Sequence, residues 1–313
     1  MAKLFLINSL RERANRSPRL LRLLWAIEGG LIGALAAVSG RLSPDRASAA
    51  GRRLIGAIGP RLAKTRVFRR NLQIAFPEKS AAEVDGLVRE IWGTMGAILA
   101  EYPHLETICR SEAAQRLEII RKGDSQVFRD GHRPAIFVSA HLANWEIAAG
   151  AVVFIGVPLT GIYTPMQNPR VDRMLYGARL ALGCGMVKRE GAVRQLMKAL
   201  RNGVSVGLLV DQRVDSGEPV AFFGHDMKTS LTPAHLALRF DCELIPVQVQ
   251  RREGARYRVI FHEPVQADDP SADEHEKMLQ MTRKINALFE SWIRERPREW
   301  ICSKRRWPKD LAI

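Results

Sequence analysis

From about residue 65 onward, two hydrophobic patterns alternate along the chain: short unbroken apolar runs, and stretches whose apolar positions recur three and four apart. The run AIFVS (135–139) has the length and composition of a strand buried on both faces. TGIYT (160–164), VSVGLLV (204–210), LIPVQVQ (244–250) and RYRVIF (256–261) predict further strands. Between them the period lengthens. A helix through Trp145, Ile147 and Val152 follows the first strand, and helices are predicted over 170–182 and 191–201. In the latter, Leu196, Met197 and Leu200 share one face. Residues 80–101 predict a helix with Ser80 as N-cap and Trp92 on its apolar face, and 272–295 predict a long helix near the end of the chain. This alternation predicts an α/β fold, a mixed and largely parallel sheet flanked by helices.

The N-terminal region follows a different pattern. Residues 23–40, LLWAIEGGLIGALAAVSG, are apolar throughout except for Glu28. Arg11, Arg13, Arg16, Arg19 and Arg22 precede the run, and Arg41 and Arg46 follow it. A bilayer-spanning helix needs about 20 apolar residues, so the run is borderline for a span. Trp25 suits a headgroup boundary, whereas Glu28 and the glycines disfavour a deep span. The favoured reading is an embedded or interfacial anchor. A buried helix of a soluble protein and a cleaved leader are the alternatives, the leader being disfavoured by Glu28 and by the lack of an A-x-A site. Both flanks are basic, so charge asymmetry sets no orientation. Gly29 and Gly33 have GxxxG spacing, a weak pairing signal in so short a run.

Composition narrows the class. The chain has 313 residues, 46% apolar and 26% charged, which excludes a disordered or collagen-like protein. Its net charge is +15, concentrated early: residues 1–70 carry 15 Lys and Arg against Glu12, Glu28 and Asp45. Basic charge flanking the most apolar stretch points to an anionic membrane surface rather than to nucleic acid. Four scattered cysteines, Cys109, Cys184, Cys242 and Cys302, form no CxxC pair. That argues against a zinc ribbon or a disulfide scaffold and suits a reducing compartment.

The sharpest chemical constellation is Ser139-Ala140-His141-Leu142-Ala143-Asn144-Trp145-Glu146, at the C-terminal end of a predicted strand, where open α/β sheets place their sites. Within one helix His141 and Glu146 would lie ~140° apart. They meet only if His141 sits in the turn and Glu146 in the following helix. Glu146 would then accept a hydrogen bond from one ring nitrogen and leave the other as a general base, and free imidazole titrates near ~6.5. The bland alternative is a histidine beside a helix start and an ordinary first-turn acid. Gly203-Val204-Ser205-Val206-Gly207 matches GxSxG, but the nucleophile elbow needs a helix after the serine, and here the predicted strand contains it. HExxH is absent and His141 has no second histidine at ligand spacing, so no metal is expected.

HLANWE resembles the HX4(D/E) motif of the lysophospholipid acyltransferase-like superfamily. The ordered set around it is similar to the bacterial lipid A secondary acyltransferases, the lauroyl/myristoyl family. That set comprises Arg70-Asn71-Leu72, Phe76-Pro77-Glu78, Tyr163-x-Pro165, Asn168-Pro169, Asp172, Arg179, Asp211-Gln212, Phe222-Phe223-Gly224, Thr229, Pro246, Pro297-Arg298-Glu299-Trp300 and Arg305-Arg306-Trp307. The likeness runs from about residue 15 to 308. Thr164 departs from it, since many members carry arginine there.

The resemblance implies an O-acyltransferase that needs no cofactor. An acyl chain would pass from an acyl carrier protein thioester to a hydroxyl of a lipid A precursor, at the cytoplasmic face of the inner membrane. His141 would be the base and Glu146 its orienter. Arg179 is the first candidate for oxyanion stabilisation, with Arg189, Asp211 and Gln212 as further oxyanion or substrate-binding residues. Phe222-Phe223-Gly224 would line the acyl site or turn the chain. Lys304, Arg305 and Arg306 would meet an acidic carrier protein, phosphates or headgroups. Residues 1–65 would form the basic membrane-anchoring segment and 66–313 the catalytic domain. Two rivals remain: an acyl-CoA-dependent enzyme acting on another glycolipid or phospholipid, and a catalytically silent membrane protein that holds lipid.

Overall fold

Ser17 opens the first helix, α1 (Pro18–Gly40): its Oγ accepts from the Leu20 N–H, and Pro18 occupies the first helical position, where no amide is needed. The computed structural model describes residues 17–110, 115–130, 133–308 and 311. Arg11, Arg13 and Arg16 of the basic stretch lie outside the described residues. Three helices follow: α2 (Pro44–Ile58), α3 (Thr65–Ala75) and α4 (Ala81–Glu101), the last started by a complete capping box between Ser80 and Glu83. Helices α2 and α4 cross at Gly51 and Gly96, where a Cβ on either would overlap the other's carbonyl oxygen. The short α5 (Leu105–Arg110) completes the helical layer.

The remaining elements, in chain order, are β1 (Leu117–Arg121), α6 (Gln126–Asp130), β2 (Ile136–Ser139), α7 (Glu146–Phe154), β3 (Leu159–Tyr163), α8 (Pro169–Ala181), β4 (Gly185–Lys188), α9 (Ala192–Arg201), β5 (Ser205–Leu209), β6 (Glu218–Phe222), β7 (His225–Thr229), α10 (Thr232–Phe240), β8 (Leu244–Arg251), β9 (Tyr257–Phe261) and α11 (Glu274–Glu295). Among the described residues the main sheet has seven strands in the order β1-β9-β8-β2-β5-β3-β4. Every pairing is parallel except β8 with β9, so the sheet is mixed and largely parallel, as predicted. β6 and β7 form a separate hairpin, turned by Phe223 and Gly224 at φ 50° and 74°, a two-residue turn whose twist matches its strands. Phe222-Phe223-Gly224 therefore turns the chain, and both rings pack with Trp300 and Trp307.

The strands of the sheet centre are buried on both faces. Ile136, Val138, Val206 and Leu208 face the core under α3, α4, α9, α10 and α11. Phe137, Leu159 and Val247 face a second core under α5 and α7. Ser205 of the GxSxG match lies inside β5, buried, with Oγ accepting from the Ala135 N–H, so it is a strand residue and no elbow.

Helix α1 is the one described helix long and apolar enough to cross a membrane. It lies lengthwise against the body. Near its start, the Asn168 amide donates to the Trp25 carbonyl (3.0 Å) and to Glu28 Oε2 (2.8 Å). At Gly29 the helix meets Arg170 so closely that a Cβ would clash. Near its end, Ser39 Oγ donates to the Ala100 carbonyl (2.6 Å), and the Ser39 carbonyl lies 2.9 Å from His104 Nε2. Glu28, the one charge in the apolar run, is thus turned inward and buried. Of the GxxxG pair only Gly29 touches a neighbour; nothing approaches Gly33. The outward face carries Leu23, Ile27, Leu31 and Leu35, each more than half exposed.

Candidate active site

Strand β2 ends at Ser139, and the chain turns sharply before α7 begins at Glu146. Ala143 in this turn has φ 48°, in the left-handed region that costs an alanine about 1–2 kcal/mol. The C-terminal segment holds the turn in that shape. The Ala143 N–H donates to the Glu299 carbonyl (2.9 Å), the Ile301 N–H donates to the His141 carbonyl (2.8 Å), and Leu142 bridges Trp300. On the other side Asn144 Nδ2 donates to Glu101 Oε2 (3.0 Å), and Glu101 is itself fixed by Arg251 and Tyr257.

This turn does not aim His141 at Glu146. His141 Nδ1 lies 2.6 Å from Asp211 Oδ1, and Asp211 follows the adjacent strand β5. The second oxygen, Oδ2, accepts from Trp300 Nε1 (3.0 Å). Asp211 is fully buried. Burial opposes its ionisation most strongly, but the neighbouring imidazole and the hydrogen bonds from His141 and Trp300 outweigh that, holding the carboxyl below its usual range. An anionic Asp211 selects the tautomer with hydrogen on Nδ1 and leaves a lone pair on Nε2. Gln212 Nε2 lies 3.2 Å from that nitrogen.

Glu146 belongs to a second cluster. It accepts from Arg179 Nη2 (2.6 Å) and Nε (2.9 Å), from the Tyr102 hydroxyl (2.7 Å) and from Trp145 Nε1 (3.1 Å). Burial again opposes its charge, and Arg179 and Tyr102 overcome it, so the Glu146 carboxyl also lies low. Burial and the Glu146 charge push the Tyr102 phenol far above its usual range, keeping it a donor. The two clusters meet at Trp145, whose ring lies edge-on to His141 at 5.1 Å between centroids. Behind the Trp145 ring, a cavity of about 100 Å³ runs between the sheet and α7; its walls are mostly apolar, with Ser139, Glu146 and Arg179 also lining it.

Comparison with known proteins decides the lineage. The sequence model of the bacterial lipid A biosynthesis acyltransferases matches residues 18–309. The chain belongs to that family. It is 22% identical to a lipid A biosynthesis acyltransferase of Haemophilus influenzae, over 77% of this chain and 75% of the relative. It is 23% identical to the lipid A biosynthesis palmitoleoyltransferase of Escherichia coli, over 81% and 82%. It is also 23% identical to a phosphatidylinositol mannoside acyltransferase of Mycolicibacterium smegmatis, over 78% and 80%. The protein is an acyltransferase of the lipid A and glycolipid acyltransferase family.

Against that background several expectations change. Glu146 was expected to orient His141, but Asp211 does so, because the turn at Ala143 points the imidazole across to β5 while Glu146, at the first position of α7, faces α4 and α8. Asp211 was expected to bind oxyanion or substrate; in the structure it is fully buried, with one oxygen on His141 and the other on Trp300. Arg179 was expected to meet the oxyanion, but its Nε and Nη2 are spent on Glu146. Gln212 does sit beside His141 Nε2. Arg189 is exposed just beyond the edge strand β4, and its backbone N–H donates to Tyr163. Arg306 of the basic tail is fully buried: its guanidinium lies 4.6 Å from the Phe222 ring centroid and donates to Thr229 Oγ1, so it is not available to a docking partner. Tyr102 and the role of Trp300 were missed. Tyr102 carries no local motif, whereas Trp300 lies in the C-terminal signature and marks a contact that only folding creates.

Proposed function

We propose that the protein transfers an acyl chain from an acyl carrier protein thioester to a hydroxyl of a lipid A precursor, at the cytoplasmic face of the inner membrane. The observation that carries this reading is the His141–Asp211 pair, with Nε2 left unprotonated and the imidazole packed on Trp145, a residue that also lines a largely apolar cavity. His141 Nε2 takes the proton of the acceptor hydroxyl as its oxygen attacks the thioester carbonyl. Asp211 stabilises the imidazolium without taking its proton, as the acid does in a Ser-His-Asp triad. The C–S bond then breaks, the sulfur of the carrier leaves as thiolate, and the imidazolium returns the proton to it. Atoms and charge balance with no enzyme-bound intermediate.

The Gln212 amide, 3.2 Å from Nε2, is the side-chain donor placed to meet the developing oxyanion; such a donor is worth about 3 kcal/mol. The Glu146–Arg179 pair orders the start of α7 and the cavity mouth, and is thus a positioning pair. The exposed Arg189 suits the phosphates of the acceptor. Exposed Lys304 and Arg305 suit an acidic carrier protein. Helix α1, docked along the body with its leucine stripe outward, suits a membrane surface in the plane of one leaflet.

Similarity to the mannoside acyltransferase supports a second reading, transfer to a different glycolipid. The test is purified protein in detergent with acyl carrier protein or acyl-CoA thioesters, offered a lipid A precursor and a phosphatidylinositol mannoside in turn, with products read by mass spectrometry. The expected result is one acyl chain added to the lipid A precursor from the carrier protein. Acylation of the mannoside alone selects the second reading, and no acylation of either overturns both.

A further inference from the structure

The cavity behind Trp145 owes its open floor to two glycines. Gly161 of β3 and Gly207 of β5 are direct partners in the parallel ladder, so both lack a side chain at one level of the sheet. Both line the cavity. The opposite wall is also small there, with Ala148 and Ala149 of α7. A Cβ on Gly161 would reach Met186 Sδ at 3.5 Å, and a Cβ on Gly207 would reach the Leu159 methyls at 3.5 Å, ordinary contacts with two other lining residues. Neither glycine has a positive φ, and neither is forced by close backbone approach. Backbone geometry therefore does not demand them; the space does.

We propose that the Gly161–Gly207 pair and Met186, the neighbour of Gly161 on β4, set the length of the acyl chain this enzyme transfers. The inference rests on the acyl-transfer reading above. A thioester carbonyl at His141 directs its chain past Trp145 into the cavity, which the two glycines help to line. A cavity of about 100 Å³ is smaller than the ~150 Å³ that admits one benzene ring. It holds the inner end of a chain, and one added methyl group on its floor removes a large share of it. A single methylene in such a pocket changes relative rates by about 10–200-fold.

The test measures kcat/KM for wild type, Gly207→Ala, Gly161→Ala and Met186→Ala across saturated acyl carrier protein donors of graded length, with the lipid A precursor as acceptor. Both glycine variants should prefer shorter donors, with the ratio of long to short chain transfer falling about tenfold or more. Met186→Ala should move the preference toward longer donors, a change that misfolding cannot produce. Unchanged profiles, or equal loss at every length in all three variants, overturn the inference while leaving acyl transfer intact. Absence of transfer by wild type at every length overturns the functional reading, and this inference with it.

Discussion

At the scale of single residues, charge burial is what organises this site. Asp211 and Glu146 are both buried carboxylates, but their partners differ in kind. Asp211 has one oxygen on the imidazole and the other on the Trp300 indole, so it is tuned to hold a tautomer. Replacing it with asparagine should keep the fold and lower kcat by about 10²–10⁴, because the amide permits the wrong tautomer; steady-state kinetics beside a thermal melt check this. Glu146 instead neutralises Arg179, itself only 19% exposed. Glu146→Gln should lower stability by about 3–5 kcal/mol by stranding the guanidinium, and adding Arg179→Met should recover much of the loss; denaturant midpoints of the single and double variants read the difference. The sequence made His141 and Glu146 legible because they share a motif. It hid the His141–Asp211 pair because their 70-residue separation is closed only by the β2–β5 ladder. Other motif residues proved architectural. Asn71, for example, accepts from the Arg306 N–H and donates to the Cys302 and Lys304 carbonyls, tying the tail down.

Elements with strong periodicity and buried runs were readable, and those lacking either were not. The strands at 136–139, 205–209 and 244–251 are apolar blocks in the sheet centre, and α4 and α11 have clear caps and faces. By contrast, β4 is four residues at the sheet edge, β1 is half polar, and β6 and β7 alternate buried and exposed positions in a hairpin covered by α11 and the aromatic cluster. Helix α10 is nine residues long and went unread between strands. One tie between elements has a pH signature. Asp45, at the start of α2, takes both guanidinium nitrogens of Arg116 at 2.9 and 2.8 Å and the Ala255 N–H at 2.9 Å. The Arg116 hydrogen bonds draw its carboxyl down to about 2, against partial burial. A folded-state value below the unfolded one means the tie stabilises fully above about pH 4 and is lost as pH falls toward 2. Asp45→Asn should therefore lower the melting temperature at neutral pH, and the gap from wild type should close between about pH 4 and 2, as melts across that range would register.

At the scale of the whole molecule, the α/β class and the apolar N-terminal helix were both legible, since each follows from patterning alone. How α1 sits was not, because Glu28 argues against a deep span in sequence and finds its partner, Asn168, only in the fold. Docking at Trp25 and again at Ser39 fixes ~21 Å of helix against the body. The stripe of Leu23, Ile27, Leu31 and Leu35 is then left facing outward. Replacing Leu23, Ile27 and Leu31 with serine should weaken partitioning into anionic vesicles by about 100-fold, on roughly 1 kcal/mol for each half-embedded side chain. The melting temperature should move far less, since these side chains are more than half exposed; co-sedimentation and melts read the two effects separately.

The clasp of residues 299–301 on the histidine turn has a consequence for the order in which the site is built. The bonds from this segment to Ala143 and His141, and the indole bond to Asp211, join stretches far apart in sequence. Contacts of such separation carry a loop-closure cost before they return any stability. Pairing of β2 with β5 brings His141 and Asp211 side by side, but the turn and the carboxylate are held in place only once the last aromatic segment has docked. The site is therefore a late product of folding, assembled on a sheet that is already in register.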